Sequence, residues 1–195
     1  MAGTIRPPAV RVICGPPDAG QETAFCREGA LMADFFLKID GIPGESQNPR
    51  HQGEIEVESF SWSETYLASA AGAGGGGKVH VQDLHITKQI DKASPLLMLA
   101  AASGRHLASA VLTAQRPGKQ PLDYLTISLG GVMVNSYQTG APAGQPVPTD
   151  QVSFSFRQIV IVYRSQRPDG SLDTPVTAGW DVTANHKIDV ANPGT

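Results

Sequence analysis

The sequence predicts a mainly β fold, a barrel or sandwich of about seven or eight strands with one helix on its flank. Three observations carry this. Only the stretch from Asp91 to Gly104 has the composition and punctuation of a helix. Apolar residues elsewhere recur with the period of two that belongs to strands. Turn formers are abundant, with 21 Gly and 15 Pro among 195 residues, as a chain that reverses often requires. A content of 41% hydrophobic and 17% charged residues gives enough apolar material for a core and excludes a disordered chain.

Residues 1–31 differ from the rest. Pro7-Pro8 and Pro16-Pro17 interrupt any regular element, and periodicity is weak. They read as a poorly ordered N-terminal arm or as a start site placed too far upstream, with the domain opening at Met32. That domain is expected over residues 32–187, with a frayed tail over 188–195 and fraying already from Asn185. Phe35 to Asp40 is a first strand, turned by Gly41, Pro43 and Gly44. A polar loop from Ser46 to Gly53 follows. Glu54 to Trp62 alternates, with Ile55, Val57, Ser59 and Ser61 on one face and Glu54, Glu56, Glu58, Phe60 and Trp62 on the other. Glu64 to Gly77 reads as a long loop ending in a glycine run. Val79 to Thr87 is a strand with a register change near Asp83.

The helix comes next. Ser94 is placed to cap its N-terminus, and Pro95 suits the first helical position, where a missing N–H costs nothing. Leu96, Leu97, Met98 and Leu99 favour helix, and Gly104 stops it in the left-handed conformation. Leu107 to Gln115 and Leu122 to Leu129 are strands. Gly130-Gly131 then breaks or bulges the sheet before Val132 to Val134. A Gly/Pro-rich loop runs from Gly140 to Pro148. Gln151 to Tyr163 is a long strand whose phase slips at Arg157-Gln158, as at a bulge. Arg167 to Gly170 is a turn, and Thr177 to Val182 a last strand.

A net charge of -3 lacks the basic footprint of a nucleic-acid binder. No run approaches the ~18 apolar residues of a membrane span, and the N-terminus lacks the apolar core of a secretory signal. Cys14 and Cys26 lie too far apart for a CxxC site. Gly72 to Lys78 nearly matches a phosphate loop, but Val79 replaces the required Ser or Thr and a strand begins where a helix is needed. His51, His80, His85, His106 and His186 show no metal-ligand spacing and read as solvated or core-edge residues. Glu54, Glu56 and Glu58 read as a solvated strand face. Phe60, Trp62 and Trp180 read first as core, then as interface. These patterns give no catalytic, cofactor or metal residue.

Several ordered motifs carry a resemblance. Phe36 to Ser46 opens the domain, followed by His51, Glu54 to Val57 and Ser59 to Trp62. Gly77 to Val79, Thr87-Lys88 and Asp91 to Met98 come next, and Asp169 to Ser171 with Gly179 to Asp181 close the set. Together they resemble the Hcp family, the haemolysin-coregulated tube proteins of the bacterial type VI secretion system, from about Met32 to about Lys187. The resemblance implies a compact β-barrel of two sheets with one flanking α-helix. It implies a non-enzymatic, self-associating subunit without cofactor, whose hexameric rings stack into a hollow tube. Its implied partners are a spike protein, a contractile sheath and small effector proteins carried in the lumen. Assembly would occur in the bacterial cytoplasm, before secretion without a signal peptide. The arm before Met32 and the long glycine run before Lys78 depart from the family pattern.

Within that reading, the subunit interface is expected at Glu64, Tyr66, Gly74, Gly75, Gly76, Lys78, Leu96 and Leu99. The apolar run from Pro95 to Ala102 exceeds one helix face, so its remaining side should meet a neighbouring subunit or loop. Replacing Leu96 or Leu99 by Asp is expected to weaken fold and ring together. The competing reading is an oligomeric ligand- or carbohydrate-binding β-barrel, in which Phe60 and Trp62 face solvent. A hydrolase with an unrecognised site lacks any paired base and nucleophile.

Overall fold

The computed structural model describes residues 34–67, 78–118, 121–141, 144 and 147–189. Residues 1–31 with both cysteines, Gly74, Gly75 and Gly76 of the glycine run, and the tail from 190 lie outside the described residues. Among those described are twelve strands and one helix. In chain order they are β1 (Asp34–Ile39), β2 (Ile55–Val57), β3 (Ser59–Ser61), β4 (Glu64–Leu67), β5 (Lys78–Val81), β6 (Leu84–Gln89) and α1 (Ser94–Ser103). Then follow β7 (His106–Arg116), β8 (Leu122–Gly140), β9 (Thr149–Ser155), β10 (Gln158–Tyr163), β11 (Val176–Asp181) and β12 (His186–Lys187).

The strands form two sheets, with α1 packed beside β8. The larger sheet runs β12-β11-β10-β8-β7-β1-β2, with a branch β3-β6-β9-β8. Strand β8 serves both arms of this sheet. Leu125 to Gly130 pair with β10, and Met133 to Gly140 pair with β9. Gly131, with φ of 61°, lies between the two stretches. The expected break at Gly130-Gly131 is therefore a change of partner within one continuous strand. The barrel is not closed: β2 pairs with β1 and β3 with β6, and the ladder path ends at β2.

Two other long strands are divided. Alternation stops at Glu58, whose N–H donates to Thr87 O at 2.8 Å. Ile55 and Val57 are buried before it, while Phe60 and Trp62 pack against the core after it. Ser59 and Ser61 are exposed, opposite to the face assigned from the sequence. The reason is size: burying an aromatic ring removes far more apolar area from water than burying a serine, so the kink turns the rings inward. Phe60 then meets Phe35 edge to face at 5.2 Å. Strand 151–163 likewise splits at Phe156-Arg157, where Arg157 N–H donates to Gly130 O at 2.9 Å. Glu64–Leu67 is strand rather than loop. The chain end is paired further than expected, since His186-Lys187 forms β12 and Ile188 N–H donates to Gly179 O at 3.0 Å.

The loop between β1 and β2 is wound tightly. Gly44 N–H donates to Gly53 O at 2.8 Å, and Ser46 N–H to Glu54 O at 3.0 Å. A Cβ at Gly44 would lie 2.2 Å from Glu54 O, which only glycine avoids. Gly44→Ala is expected to cost about 1–3 kcal/mol, the range of overpacking at a rigid contact, read as a lower urea midpoint. His51 is a core-edge residue, stacked on Phe36 at 4.3 Å. Its Nδ1 lies 2.8 Å from Glu54 Oε2 and its Nε2 3.3 Å from Asp123 Oδ1. Gln115 Nε2 donates to that same Asp123 oxygen at 2.8 Å, so the loop is fastened to β7 and β8.

Helix α1 ends as its sequence predicts. Gly104 adopts φ 60° and ψ 32°, and Arg105 N–H donates to Ala100 O at 3.1 Å. Its start differs. Ala93 is the capping residue and makes no side-chain cap, while Ser94 lies inside the first turn. The Ser94 hydroxyl is engaged elsewhere: it accepts from Asp91 N–H and from Lys88 Nζ, each at 3.0 Å, and bonds Asp150 Oδ2. Lys88 Nζ also reaches Asp91 Oδ1 at 2.7 Å and Asp150 Oδ2 at 3.1 Å. Tyr137 OH donates to Asp150 Oδ1 at 2.9 Å. This fully hydrogen-bonded charge cluster ties the helix start to β6, β8 and β9. Buried charge is tolerable only when paired in this way.

Candidate assembly interface

Strands β4 and β5 form the second sheet, a two-stranded arm apart from the main one. Glu64 pairs with Val81, Tyr66 with Val79 and Leu67 with Lys78. Its base is closed by Gln82 N–H donating to Ser63 O at 2.8 Å. Glu64, Thr65, Tyr66, Lys78 and His80 are all exposed, Tyr66 to 63%. A two-stranded ribbon is marginal by itself in water, so this arm gains stability when a further surface covers it. The structure thus gathers Glu64, Tyr66 and Lys78 on one two-stranded element, whose Val81 packs against the main core.

Helix α1 offers a second surface. Leu97 and Ala100 face the core at 0% and 2% exposure. Leu96, Met98 and Leu99 are exposed, Leu99 to 59%. The excess apolar character of this helix is therefore real and lies outward. Leu97 and Ala100 make the core packing of α1, whereas Leu96 and Leu99, both expected at the interface, are exposed. The arm and the helix remain two separate elements.

A third surface was not read from the sequence. Ser59 and Ser61 on β3, His85 and Thr87 on β6, Gln151 on β9, and Ser136 and Gln138 on β8 line an open groove of about 340 Å³ with no Asp, Glu, Lys or Arg among its lining residues. The pairs Ser59–Thr87, Ser61–His85, Thr87–Gln151 and Gln138–Gln151 stand opposite one another in the ladder. The legible signal was the polar member of each alternating pair after Glu58.

Other sequence candidates are placed as follows. Phe60 and Trp62 are half-buried and pack against the core, and Phe60 also lines the groove just described. Glu54 is taken up by His51, and Glu58 accepts from Gln89 Nε2 at 3.1 Å. Among the described residues no cluster of three His, Cys, Asp or Glu side chains is placed to hold a metal ion. No helix among them is long and apolar enough to cross a membrane.

Residues 36–163 match the family described as "Type VI secretion system effector, Hcp". "Protein hcp1" of Pseudomonas aeruginosa is 40% identical over 159 residues, covering 80% of this chain and 98% of that protein. The "Major exported protein" of the same organism is 26% identical over 156 residues, covering 75% of this chain and 89% of that protein. The crystal structure of Hcp1 from Salmonella typhimurium superposes with a TM-score of 0.66 at 36% identity, covering 80% of this chain and 99% of that one. Sequence identity across nearly the whole of these relatives agrees with the two-sheet, one-helix fold, and this chain belongs to the Hcp family of type VI secretion tube proteins.

Proposed function

We propose that this chain is the structural subunit of a type VI inner tube. In this reading six copies close a ring, rings stack into a hollow tube, and sheath contraction expels that tube behind its spike. The observation that carries the reading is the pair of exposed surfaces on an Hcp fold: the exposed side chains of the β4–β5 arm and the outward face of α1. A closed ring that also stacks needs complementary lateral and axial contacts, and an exposed two-stranded arm that gains stability when covered suits the axial one. The helix face and its exposed leucines suit the lateral one. The uncharged groove on β3, β6, β9 and β8 is the face assigned to small effectors in the lumen, since hydroxyls and amides both donate and accept hydrogen bonds. The role is structural rather than catalytic, with assembly in the cytoplasm preceding export.

Negative-stain images of the purified protein test this directly. Six-fold rings and stacks are expected, and a monodisperse monomer at all concentrations would overturn the reading. Deleting Ala68 to Gly76 is expected to leave rings and abolish tubes. Tubes of unchanged length would show that the arm has no axial role.

A further inference from the structure

The outer part of the arm, away from its Ser63–Gln82 base, carries a contact from a distant part of the chain. Asn185 lies between β11 and β12 with φ of 54°, the positive-φ residue other than glycine among those described. Asparagine adopts this left-handed region more readily than other side-chain-bearing residues, so its choice fits the turn. The turn itself is fixed. Asp181 Oδ1 accepts Ala184 N–H at 2.7 Å, and Asp181 Oδ2 accepts Gln158 Nε2–H at 2.9 Å. Beyond it, His186 and Lys187 pair with Asp181 and Trp180. From this support Asn185 Oδ1 accepts the N–H of Val79 at 3.3 Å, a contact spanning 106 residues. Val79 lies on β5, which among the described residues pairs with β4. The Asn185 amide thus occupies a backbone donor on the open edge of the arm, where unpaired edge groups otherwise invite another strand.

We propose that Asn185 is a positioning residue: it latches the outer part of β5, next to the loop-side end of the β4–β5 arm, to the β11–β12 turn and so sets the arm's direction. The latch stands on its own geometry, while its consequence for stacking rests on the tube reading above. Held at one angle, the arm presents Tyr66 on one face and Lys78 on the other, so less ordering entropy is lost on contact.

Two substitutions separate side chain from backbone. Asn185→Gly keeps the left-handed turn and removes the acceptor. Asn185→Asp keeps an acceptor oxygen. Amide hydrogen exchange on the full chain is expected to show Val79 exchanging about three- to tenfold faster in Asn185→Gly, the range one ordinary hydrogen bond commands. The amides of β7 should be unchanged, and Asn185→Asp should restore protection at Val79. Unchanged exchange at Val79 in Asn185→Gly, or an equal acceleration throughout β7, would overturn the latch. In assembly, Asn185→Gly is expected to form rings but to stack at higher protein concentration than the parent. Stacking identical to the parent, with Val79 deprotected, would overturn the arm-setting role. Failure of the parent chain to stack at all would count against the tube reading and leave the exchange result to judge the latch.

Discussion

Lys88→Met is expected to destabilise the fold by about 3–5 kcal/mol, the cost of breaking a buried ion pair and leaving one charge uncompensated. Lys88 occupies the inward slot after Leu84 and Ile86 on β6 and is 0% exposed. Its ammonium lies 3.1 Å from Asp150, which is also 0% exposed, and 2.7 Å from Asp91. Methionine fills similar space but leaves the Asp150 carboxylate facing an apolar neighbour. Urea unfolding should show a lower midpoint with an unchanged slope. Adding Asp150→Leu and Tyr137→Phe removes the stranded carboxylate and its phenol partner, and should recover part of the loss, because apolar replacement of buried paired charges is often near neutral, while Ser94 keeps Asp91 as a partner. A loss below about 1 kcal/mol for Lys88→Met alone would mean the cluster contributes no more than a surface pair.

The same cluster sets a pH window. Burial pushes the Asp150 carboxyl up, but hydrogen bonds from Ser94, Lys88 and Tyr137 outweigh it and hold it below the usual 3.8. A carboxylate lowered in the folded state contributes stability that is present above its ordinary range and is lost as pH falls through the depressed folded value. Tyr137 moves the other way. Burial first, then the hydrogen bond and charge of Asp150, push its phenol above the usual 10.0. Its contribution is complete below that value and is lost as pH rises through the folded one. Tyr137→Phe should therefore remove its alkaline contribution while the acid limb from Asp150 persists, measured by thermal unfolding across pH.

These contacts show where the sequence was legible and where it was not. Pro95 and Gly104 act locally, so the extent of α1 followed from neighbouring residues alone. The phase of Leu84 and Ile86 was equally visible. Lys88 continues that phase, yet a lysine at an inward position is intelligible only beside Asp150, 62 residues away across the β6–β9 ladder. Ser94 shows the same limit: its local environment reads as a cap, and its actual partners are set by tertiary packing. At Glu58 the small polar Ser59 and Ser61 could continue either face, and the bulk of Phe60 and Trp62 decided which way the chain kinked. Glu64–Leu67 gave no strand signal because Glu64, Thr65 and Tyr66 are all exposed, so no buried row produces alternation there. The polar groove was hidden by the phase error at Ser59. The helix's outward face was legible only as a surplus, since apolar residues run nearly all round α1 and leave no period to mark one face.

That surplus gives the other large expected effect, because neighbouring leucines on α1 should fail in different ways. Leu97→Ala removes a side chain with 0% exposure that packs into the main core, and about 2–5 kcal/mol of stability should go with it. Leu99→Asp acts on a side chain exposed to 59%, where only helix propensity and local contact change, so less than about 1 kcal/mol is expected for the fold. For assembly the order reverses. A carboxylate placed in an apolar contact between copies carries a desolvation cost that no described neighbour on α1 offsets, so Leu99→Asp should remain a folded monomer under conditions where the parent forms rings. Sedimentation and urea unfolding on the same samples distinguish the cases. Leu99→Asp that unfolds would show that the outer face supports the fold as the sequence had led us to expect. Leu99→Asp that still forms rings would place the subunit contact elsewhere and leave the exposed leucines without the partner proposed for them.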